Sequence, residues 1–510
     1  MQFESTRAGT FDDTQRLPGG FRHDSLLPPG FVAGFSCGAG GQAGFIEGWH
    51  ASAPGPVRPV PSLKQRGLRA GAWVAGGQFM SQVLRLAGNL VLARLLVPEA
   101  FGLMAVISTL LMTLNLFSDI GSGTVIVQSP RGSDNVFLNT AWTLQAIRGV
   151  ALWISGLAIA VLLSYAQHSH WLTPGTVYDD ARLPLLISVA SFGAVIVGLS
   201  SVNAKLAERN LNIAAISVID LVAVAVAVVA MSIGAYLTGS IWALIAGSLL
   251  SAALKSFLSH MFLKGPRARF RLESTAISEL IGKGKWIVAS SILGLIAVSG
   301  DKLLLGGLVD GTTLGLYSIA LGLASIASST IASVLGRVIF PVFSEVVRDN
   351  VEALNQPYRK LQQLVDVFVG ILAGFVFVAA DFIVAILYDA RYQGVGHILR
   401  ILAIGSIGIR FVVAEQIYIA MGRMSLLALA GFPRAVIIVI GVPLGYAVYK
   451  LDGALAAVVL SQFAHWPLAV WFRTKLKLNH ILNDILLIPS VLAGLTVGWV
   501  ALQFVPMVTR

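Results

Sequence analysis

The chain has 510 residues, of which 56% are hydrophobic and only 12% charged, and its mean hydropathy is +0.80. Soluble domains carry about 25% charged residues, so this composition excludes a water-soluble globular enzyme. The apolar runs extend over about 20 residues, which excludes an outer-membrane barrel, because barrel strands alternate apolar and polar positions. The sequence therefore predicts an all-α polytopic integral membrane protein.

The formal charge of +11 arises from 36 Lys and Arg against 25 Asp and Glu. In a membrane protein this excess indicates orientation and affinity for membrane lipids, and we expect no nucleic acid as a partner. Cys37 is the only cysteine, and no two His residues share a helix face at metal-ligand spacing. The sequence has no GxxxxGK[ST] motif. We therefore expect no metal, no cofactor and no catalytic residue.

Residues 1–62 differ in kind from the rest of the chain. They are rich in Gly and Pro and contain no apolar run that could span a bilayer. They also lack the basic and apolar regions of a secretory signal. We expect a Gly/Pro-rich disordered cytoplasmic tail, or sequence that lies upstream of the true start codon.

From Ala70 onward, successive apolar stretches are each long enough to cross roughly 30 Å of hydrocarbon. The run from Leu211 to Leu254 contains one charge, Asp220, and its length predicts two crossings with a turn near 238–240. We predict about 13 transmembrane helices, with a range of about 12–14. The predicted spans are 70–92, 101–118, 137–165, 183–204, 211–233, 240–262, 286–309, 314–336, 363–388, 396–420, 425–449, 453–473 and 484–507.

The distribution of Lys and Arg among the loops predicts a cytoplasmic N-terminus. With that orientation, the cytoplasmic segments hold 21 basic residues and the outer segments hold six, as the positive-inside rule requires. The two long inner loops, 263–285 and 337–360, are basic. We expect them to lie on the membrane surface as amphipathic segments.

A short internal repeat divides the spans into two blocks of six. The segment 95–103 resembles the segment 307–316 with one inserted residue, and each lies between the first two spans of its block. Paired lobes around a midplane site are typical of secondary transporters, so we expect two pseudo-repeated six-helix lobes around a central cavity. The expected boundaries are the tail (1–62), the first lobe (63–262), a basic inter-lobe loop (263–285), the second lobe (286–473) and an extra C-terminal transmembrane helix (474–510).

Polar side chains within the spans are informative, because inserting a charge into a bilayer costs about 2.5–3.5 kcal/mol. In the first span, four polar residues recur at i, i+4, i+7 and i+11, which places them within about 60° of one helix face. We interpret this face as the wall of a water-filled cavity, and hydrogen bonding between helices is the alternative. The four residues are Gln78, Gln82, Arg85 and Asn89.

Two further arginines lie near the middle of predicted spans. Arg148 shares a helix face with Gln145, and Arg410 lies close to the centre of the span 396–420. Arginine binds phosphate bidentately through its planar guanidinium, so midplane arginines predict a site for a phosphate-bearing substrate. The alternative is internal ion pairing, for which the candidate partners are Asp119, Asp220 and Glu415.

Acidic residues in or near the spans are candidates for coupling to a cation or proton. The candidates are Asp301, Asp381 and Glu415. The alternative for Asp301 is an ion pair with the adjacent Lys302 across a loop. We expect Asp366, which lies near a predicted helix end, to be solvated.

Several motifs resemble a known family. They are the run Ala-Arg-Leu-Leu-Val-Pro-Glu-Ala-Phe-Gly-Leu at 93–103 followed by Asp-Ile-Gly at 119–121, the segments 301–306 and 314–318, and the later segments 340–344 and 421–423. From about residue 66 to the C-terminus, the chain resembles the Wzx-type oligosaccharide flippases of the MATE-like multidrug/oligosaccharidyl-lipid/polysaccharide exporter superfamily. It departs from that pattern at Gly307, where the family often has a basic residue.

The resemblance implies a transporter that flips a polyprenyl-pyrophosphate-linked oligosaccharide repeat unit across the bacterial inner membrane, for exopolysaccharide or lipopolysaccharide biosynthesis. Alternating access of the two lobes would move the substrate without covalent chemistry, so we expect no enzymatic activity. Further implied partners are a polysaccharide polymerase and the export machinery. With that substrate, Arg85, Arg148 and Arg410 would hold the pyrophosphate, and Gln78, Gln82, Asn89 and Gln145 would contact the sugar.

Three other functions compete with this one. A small-molecule or drug antiporter of the same fold would favour acidic residues in its cavity, whereas the midplane residues here include arginines. A peptidoglycan-precursor flippase also has a pyrophosphate substrate, and the sequence separates it poorly. A polymerase or glycosyltransferase would need a long outer loop, but the longest one predicted, 166–182, has a single acidic pair, at 179–180.

Overall fold

The computed structural model describes residues 63–118, 125–126, 129, 131–210, 213–280, 299–334, 343, 346–347, 354–475 and 485–508. These residues form helices joined by short connections, with no strand among them, which confirms the predicted all-α class. The predicted tail, 1–62, lies outside the described residues.

Two helices of the first lobe begin at residues that favour a helix N-terminus. Pro98 begins the second helix at a position where its missing N–H costs nothing, and the Asp134 side chain caps the third by accepting a hydrogen bond from the Val136 amide. The helices are α1 (Leu63–Leu95), α2 (Pro98–Ser118), α3 (Asn135–His168), α4 (Leu183–Ser191), α5 (Gly193–Gly198), α6 (Asn203–Arg209), α7 (Ile213–Thr238) and α8 (Trp242–Phe262).

In the second lobe, residues 299–306 are helical, and several of the other helices are separated by a 3-10 or a π-helical turn. A 3-10 turn occupies Ile407–Phe411, and a π-helical turn occupies Ile437–Gly441. The longer helices are α9 (Gly311–Val334), α10 (Asn355–Leu387), α11 (Gly394–Ser406), α12 (Val412–Ala420), α13 (Met424–Val436), α14 (Val442–Phe463), α15 (Trp466–Lys475) and α16 (Leu487–Val508).

Two predicted turns occur where the sequence places them. Gly239, with a φ of 60°, lies between α7 and α8. Lys450, with a φ of 54°, reverses the chain within α14, between the predicted spans 425–449 and 453–473. By contrast, the predicted span 183–204 is not straight, because its helix bends by 58° before Asn203.

The described part of the chain contains seven helices that are long and apolar enough to cross a membrane, or eight if the bent pair is one span. Two shorter apolar helices occupy Gly311–Ile326 and Leu487–Gln503. The predicted span 286–309 falls largely on residues outside those the structure describes. The multi-pass architecture is therefore confirmed, and the count of about 13 spans stays a prediction.

Helices α2 and α9, one from each lobe, contact each other through glycines. A Cβ atom on Gly102 would lie 2.1 Å from the carbonyl oxygen of Gly311, and one on Gly315 would lie 1.8 Å from that of Pro98. No side chain fits at either glycine, so the two backbones approach as closely as helices can. The internal repeat that the sequence shows thus lies at the junction of the lobes.

Hydrophobic packing differs between the two ends of the molecule. Near the α1–α2 turn, a single large core contains residues of both lobes, from Leu92 to Val458. Toward the opposite end, one core lies within residues 125–280 and another within residues 343–472. The lobes therefore share a core at the end that carries the α1–α2 turn, which we call the joined end, and have separate cores at the other.

Hydrogen bonds also link the lobes at the joined end. The Tyr392 hydroxyl donates to the Leu96 carbonyl at 2.8 Å, and the Tyr178 hydroxyl donates to the Leu303 carbonyl at 2.7 Å. The Val177 amide donates to the Val309 carbonyl at 3.1 Å. These bonds connect one lobe to the other, so they would have to break for the lobes to separate at this end.

Candidate substrate and coupling sites

The polar face of α1 points away from the neighbouring helix. Gly77 and Gly88 of α1 pack against Ser217 and Val228 of α7. At 100° per residue, the polar residues lie about 100° around the helix from that contact. Gln78, Arg85 and Asn89 are exposed and Gln82 is half-buried.

Arg85 is the residue of this face that requires the most explanation. Within the described ranges, its guanidinium makes no hydrogen bond or ion pair. Helix α1 is not among the seven helices that are long and apolar enough to cross a membrane. If it crosses as the sequence predicts for residues 70–92, this arginine requires water or a counter-charge beside it. The predicted alternative, hydrogen bonding between helices, is not observed for Arg85 among these residues, and the cavity-wall interpretation stays a prediction.

Gln145 and Arg148 both bond to neighbouring helices. The Gln145 amide lies 3.1 Å from the Val197 carbonyl and 3.2 Å from the Gly198 carbonyl, at the end of α5. Arg148 donates from Nε to Ser118 Oγ at 2.8 Å and from Nη2 to the Asn115 carbonyl at 2.7 Å, both on α2. These contacts fasten α3 within the first lobe. The substrate-binding roles of both residues stay predictions.

Two of the acidic residues considered as arginine partners have other positions. Asp220 forms an ion pair with Lys255, at 2.6 Å between Oδ1 and Nζ. Asp119 lies outside the described residues. Asp220 therefore supplies no counter-charge to Arg85 or Arg410 among the described residues, and pairing of Asp119 stays a prediction.

Arg410 has a partner that the sequence analysis did not consider. Its Nε and Nη2 donate to the two carboxylate oxygens of Asp366 at 3.0 and 2.9 Å, and Gln362 donates to the same carboxylate at 2.8 Å. The Asp366 side chain is 0% exposed, so the prediction that it is solvated was wrong. The residue lies 11 positions into the 33-residue α10, far from the helix end that the sequence pattern suggested.

This pair changes what Arg410 can do. Arg410 is only 8% exposed, and the bidentate contact neutralises its charge. A pyrophosphate role for Arg410 stays a prediction, and it would require the guanidinium to leave Asp366. The observed pair holds α10 to the 3-10 turn between α11 and α12.

Asp301 lies in a buried cluster rather than in a loop. It is 4% exposed, and the hydroxyl of the fully buried Tyr317 donates to its Oδ2. Among the described residues, Oδ1 of Asp301 and Nε of Arg434 are buried side-chain atoms without a hydrogen-bond partner. The partner of Asp301 is thus Tyr317 of α9 and not the adjacent Lys302.

Glu415 belongs to the same cluster. Its carboxylate lies 3.5 Å from His465 Nδ1, and Arg434 interacts electrostatically with Glu415, Asp301 and Tyr317. We call these five residues the polar cluster of the second lobe. The structure thus brings together two of the three coupling candidates. The third, Asp381, forms an ion pair with Arg400, and its side chain is 62% exposed.

Sequence analysis missed three members of this cluster: Tyr317, Arg434 and His465. Arg434 carried a signal, because it is a charged residue inside the predicted span 425–449. It follows Pro433 and precedes the π-helical turn, and such turns often occur at functional sites. Tyr317 and His465 carried no periodic signal.

Two apolar lobes, with ionisable side chains held inside their spans, define a multi-pass membrane transporter. Among solved structures, the fold is similar to that described as "Inward-facing conformation of a multidrug resistance MATE family transporter of the MOP superfamily", with a TM-score of 0.61 and 16% identity over 78% of this chain and 94% of that one. It is also similar to "Lipid II flippase MurJ, inward closed conformation", with a TM-score of 0.60 and 13% identity over 82% and 90% of the two chains.

Residues 91–396 match the family described as "Polysaccharide biosynthesis protein", and the chain belongs to that family. It is 23% identical to "Lipopolysaccharide biosynthesis protein WzxC" of Escherichia coli (strain K12), over 67% of each chain. It is 23% identical to "Succinoglycan biosynthesis transport protein ExoT" of Rhizobium meliloti (strain 1021), over 62% of this chain and 61% of that one. The predicted resemblance to the Wzx-type family is confirmed.

Proposed function

We propose that this polysaccharide biosynthesis transporter moves a polyprenyl-pyrophosphate-linked oligosaccharide from the inner to the outer leaflet of the bacterial inner membrane. The N-terminus is cytoplasmic in this proposal, which the distribution of Lys and Arg supports. Family membership and the names of the relatives support a polysaccharide precursor as the cargo.

The observation that carries the proposal is the exposed polar face of α1. Its uncharged residues Gln78, Gln82 and Asn89 offer the donors and acceptors that sugar hydroxyls need. Arg85, which makes no ion pair with the described residues, offers a cation for a phosphate. A cationic drug would be repelled by that arginine, which favours an anionic cargo over the antiporter alternative. No covalent step is needed, so we propose that the protein is not an enzyme.

The joined end supports a mechanism of alternating access. In the proposed orientation it is the outer end, so the lobes separate toward the cytoplasm, where a lipid-linked precursor would arrive. Binding would then favour closure of the cytoplasmic end and opening of the joined end. The polar cluster, in which Asp301 and Glu415 lie near Arg434, is the proposed place for coupling this motion to a proton or cation.

The experiment that tests the function is a lipid analysis in a deletion strain. We expect a complete polyprenyl-pyrophosphate repeat unit to accumulate, detected by mass spectrometry, together with loss of the surface polymer. Arg85→Ala should fail to restore the polymer. Arg94→Ala is the matched control, because Arg94 is exposed on the same helix, nine residues later and therefore about 180° around it; this variant should complement.

Other outcomes would contradict the proposal. A truncated repeat unit would indicate a glycosyltransferase, and an accumulated peptidoglycan precursor would indicate the other flippase. An unchanged lipid pool with normal polymer would favour a small-molecule exporter. Equal complementation by the Arg85→Ala and Arg94→Ala variants would show that Arg85 is not part of the substrate site.

A further inference from the structure

The segment that follows α8 is an extended strap held against α3. After Phe262 the chain leaves the helix at Leu263, and residues 264–273 contain no helix. The amides of Arg269, Arg271 and Glu273 donate to side-chain oxygens of α3, at 3.0, 3.0 and 3.2 Å. The acceptors are Asn139 Oδ1, Thr143 Oγ1 and Thr140 Oγ1.

Both ends of the strap are fastened as well. Asn203 donates to the carbonyl of Pro266 at 3.3 Å. At the other end, Arg131 holds the carboxylate of Glu273 at 2.8 Å. The backbone of the strap is therefore fixed in position by contacts that do not involve its own basic side chains.

Alternate residues of an extended chain point to opposite sides. Arg267, Arg269 and Arg271 share one side of the strap, and all three are exposed. Within the described residues, their guanidinium groups make no ion pair or hydrogen bond. Since positions two apart are separated by about 6.6 Å in an extended chain, the guanidiniums form a row and do not converge on one point.

The other side of the strap carries apolar side chains. The Phe270 ring packs on Trp142 with 4.7 Å between ring centroids, yet Phe270 remains 73% exposed. Leu272 is 55% exposed, and Met261 and Phe262 at the end of α8 are also exposed. Apolar groups beside a row of cations are typical of a surface that lies between headgroups and acyl chains.

We propose that this strap is a binding surface for anionic phospholipid headgroups of the cytoplasmic leaflet. The three guanidiniums contact the phosphates of neighbouring lipids, while Phe270 and Leu272 enter the bilayer below them. A single pyrophosphate would need donors that converge on one point, so the row favours a lipid surface over the head of the transported substrate. The assignment of the leaflet rests on the orientation given with the proposed function.

Anionic lipid at this surface would act on the connection between the lobes. The strap continues into the helix at 274–280, where Glu279 accepts a hydrogen bond from Ser129 at 2.8 Å. Lipid binding would therefore fix the start of the inter-lobe loop to the first lobe and to the membrane together. The second lobe would then move relative to a stationary attachment.

The test is the lipid that copurifies with the full-length protein in mild detergent. In the triple variant R267Q/R269Q/R271Q, the ratio of anionic to zwitterionic phospholipid should fall, by about fivefold for each arginine that contacts a headgroup. The control is R359Q/K360Q/R423Q, which removes the same charge from other exposed cytoplasmic positions, in the second lobe, and should lower the ratio by less than the strap variant does.

Further measurements keep the inference falsifiable. R267K/R269K/R271K keeps the charge and should retain more anionic lipid than the glutamine variant, whereas an equal loss would contradict an electrostatic surface. Equal retention in the glutamine variant and the control would overturn the proposal. Displacement of the lipid by inorganic pyrophosphate would assign the strap to the substrate instead. Since retention is measured without transport, a negative result here leaves the flippase test standing, and a negative flippase test leaves this one standing.

Discussion

Arg85 and Arg410 are the same residue type in opposite lobes, and their surroundings differ completely. Arg85 is exposed and makes no ion pair with the described residues, whereas Arg410 is buried against a carboxylate that is 0% exposed. The comparison shows that an arginine in this chain need not be available to a ligand. Arg410 joins helices through an internal pair, whereas the role of Arg85 as a charge for a ligand belongs to the proposed function.

The largest expected effect comes from breaking the buried pair. Asp366→Ala should lower the free energy of unfolding by about 3–5 kcal/mol, because it leaves the Arg410 charge buried without compensation. Unfolding of the purified protein in detergent measures this. Asp220→Asn, which breaks the partly exposed pair with Lys255, should cost less than about 1 kcal/mol. Equal losses in the two variants would contradict the distinction.

The second effect concerns the contact between the lobes. Gly315→Ala should destabilise the protein by about 1–3 kcal/mol, because the new methyl group meets the backbone of α2. Gly322→Ala on the same helix has no atom within 4 Å of the added carbon and should gain about 0.5–1 kcal/mol. Thermal unfolding of both variants shows whether each substitution lowers or raises the stability. A Gly315→Ala variant that is more stable than the unmodified protein would show that the helices are not in close contact.

An effect of similar size is expected at the hydrogen bonds of the joined end. Tyr392→Phe removes the donor to the buried Leu96 carbonyl and should cost about 1–3 kcal/mol, since that oxygen loses its partner. Tyr236→Phe changes a side chain that is 77% exposed and should leave the unfolding midpoint unchanged. If both variants unfold alike, the bond contributes nothing to joining the lobes.

The smallest expected effect is a dependence of the unfolding midpoint on pH in the acid range. The hydrogen bond from Arg391 holds the pKa of Asp389 below its ordinary value of 3.8. A carboxyl with a lowered folded-state pKa stabilises the protein above its unfolded-state pKa, and this contribution is lost as the pH falls through the folded-state value. Asp389→Asn should therefore flatten the decline of the unfolding midpoint below about pH 4. An unchanged slope would contradict a role for this carboxylate.

Length and hydropathy predicted the class, most spans and the turns at 238–240 and after residue 449, because these depend on local composition. The pairing of Arg410 with Asp366 was not predictable, since the partners are 44 residues apart and only tertiary packing brings them together. Periodicity identified the face of α1 because four polar residues repeat there. It missed Arg434, because this arginine follows Pro433 and belongs to no repeating pattern of polar residues.

The glycine contact between α2 and α9 also bears on ancestry. Counting back from the matched glycines of the repeat, Gly102 corresponds to Gly315 and Pro98 to Gly311. Gly102 of the first lobe contacts Gly311 of the second, and Gly315 of the second lobe contacts Pro98 of the first. The two contacts therefore join the same pair of repeat positions, with the lobes exchanged. That reciprocity is the rule of a two-fold symmetric dimer. A half-length ancestor carrying this surface would have paired with its own copy, and gene duplication would then have preserved the pairing within one chain.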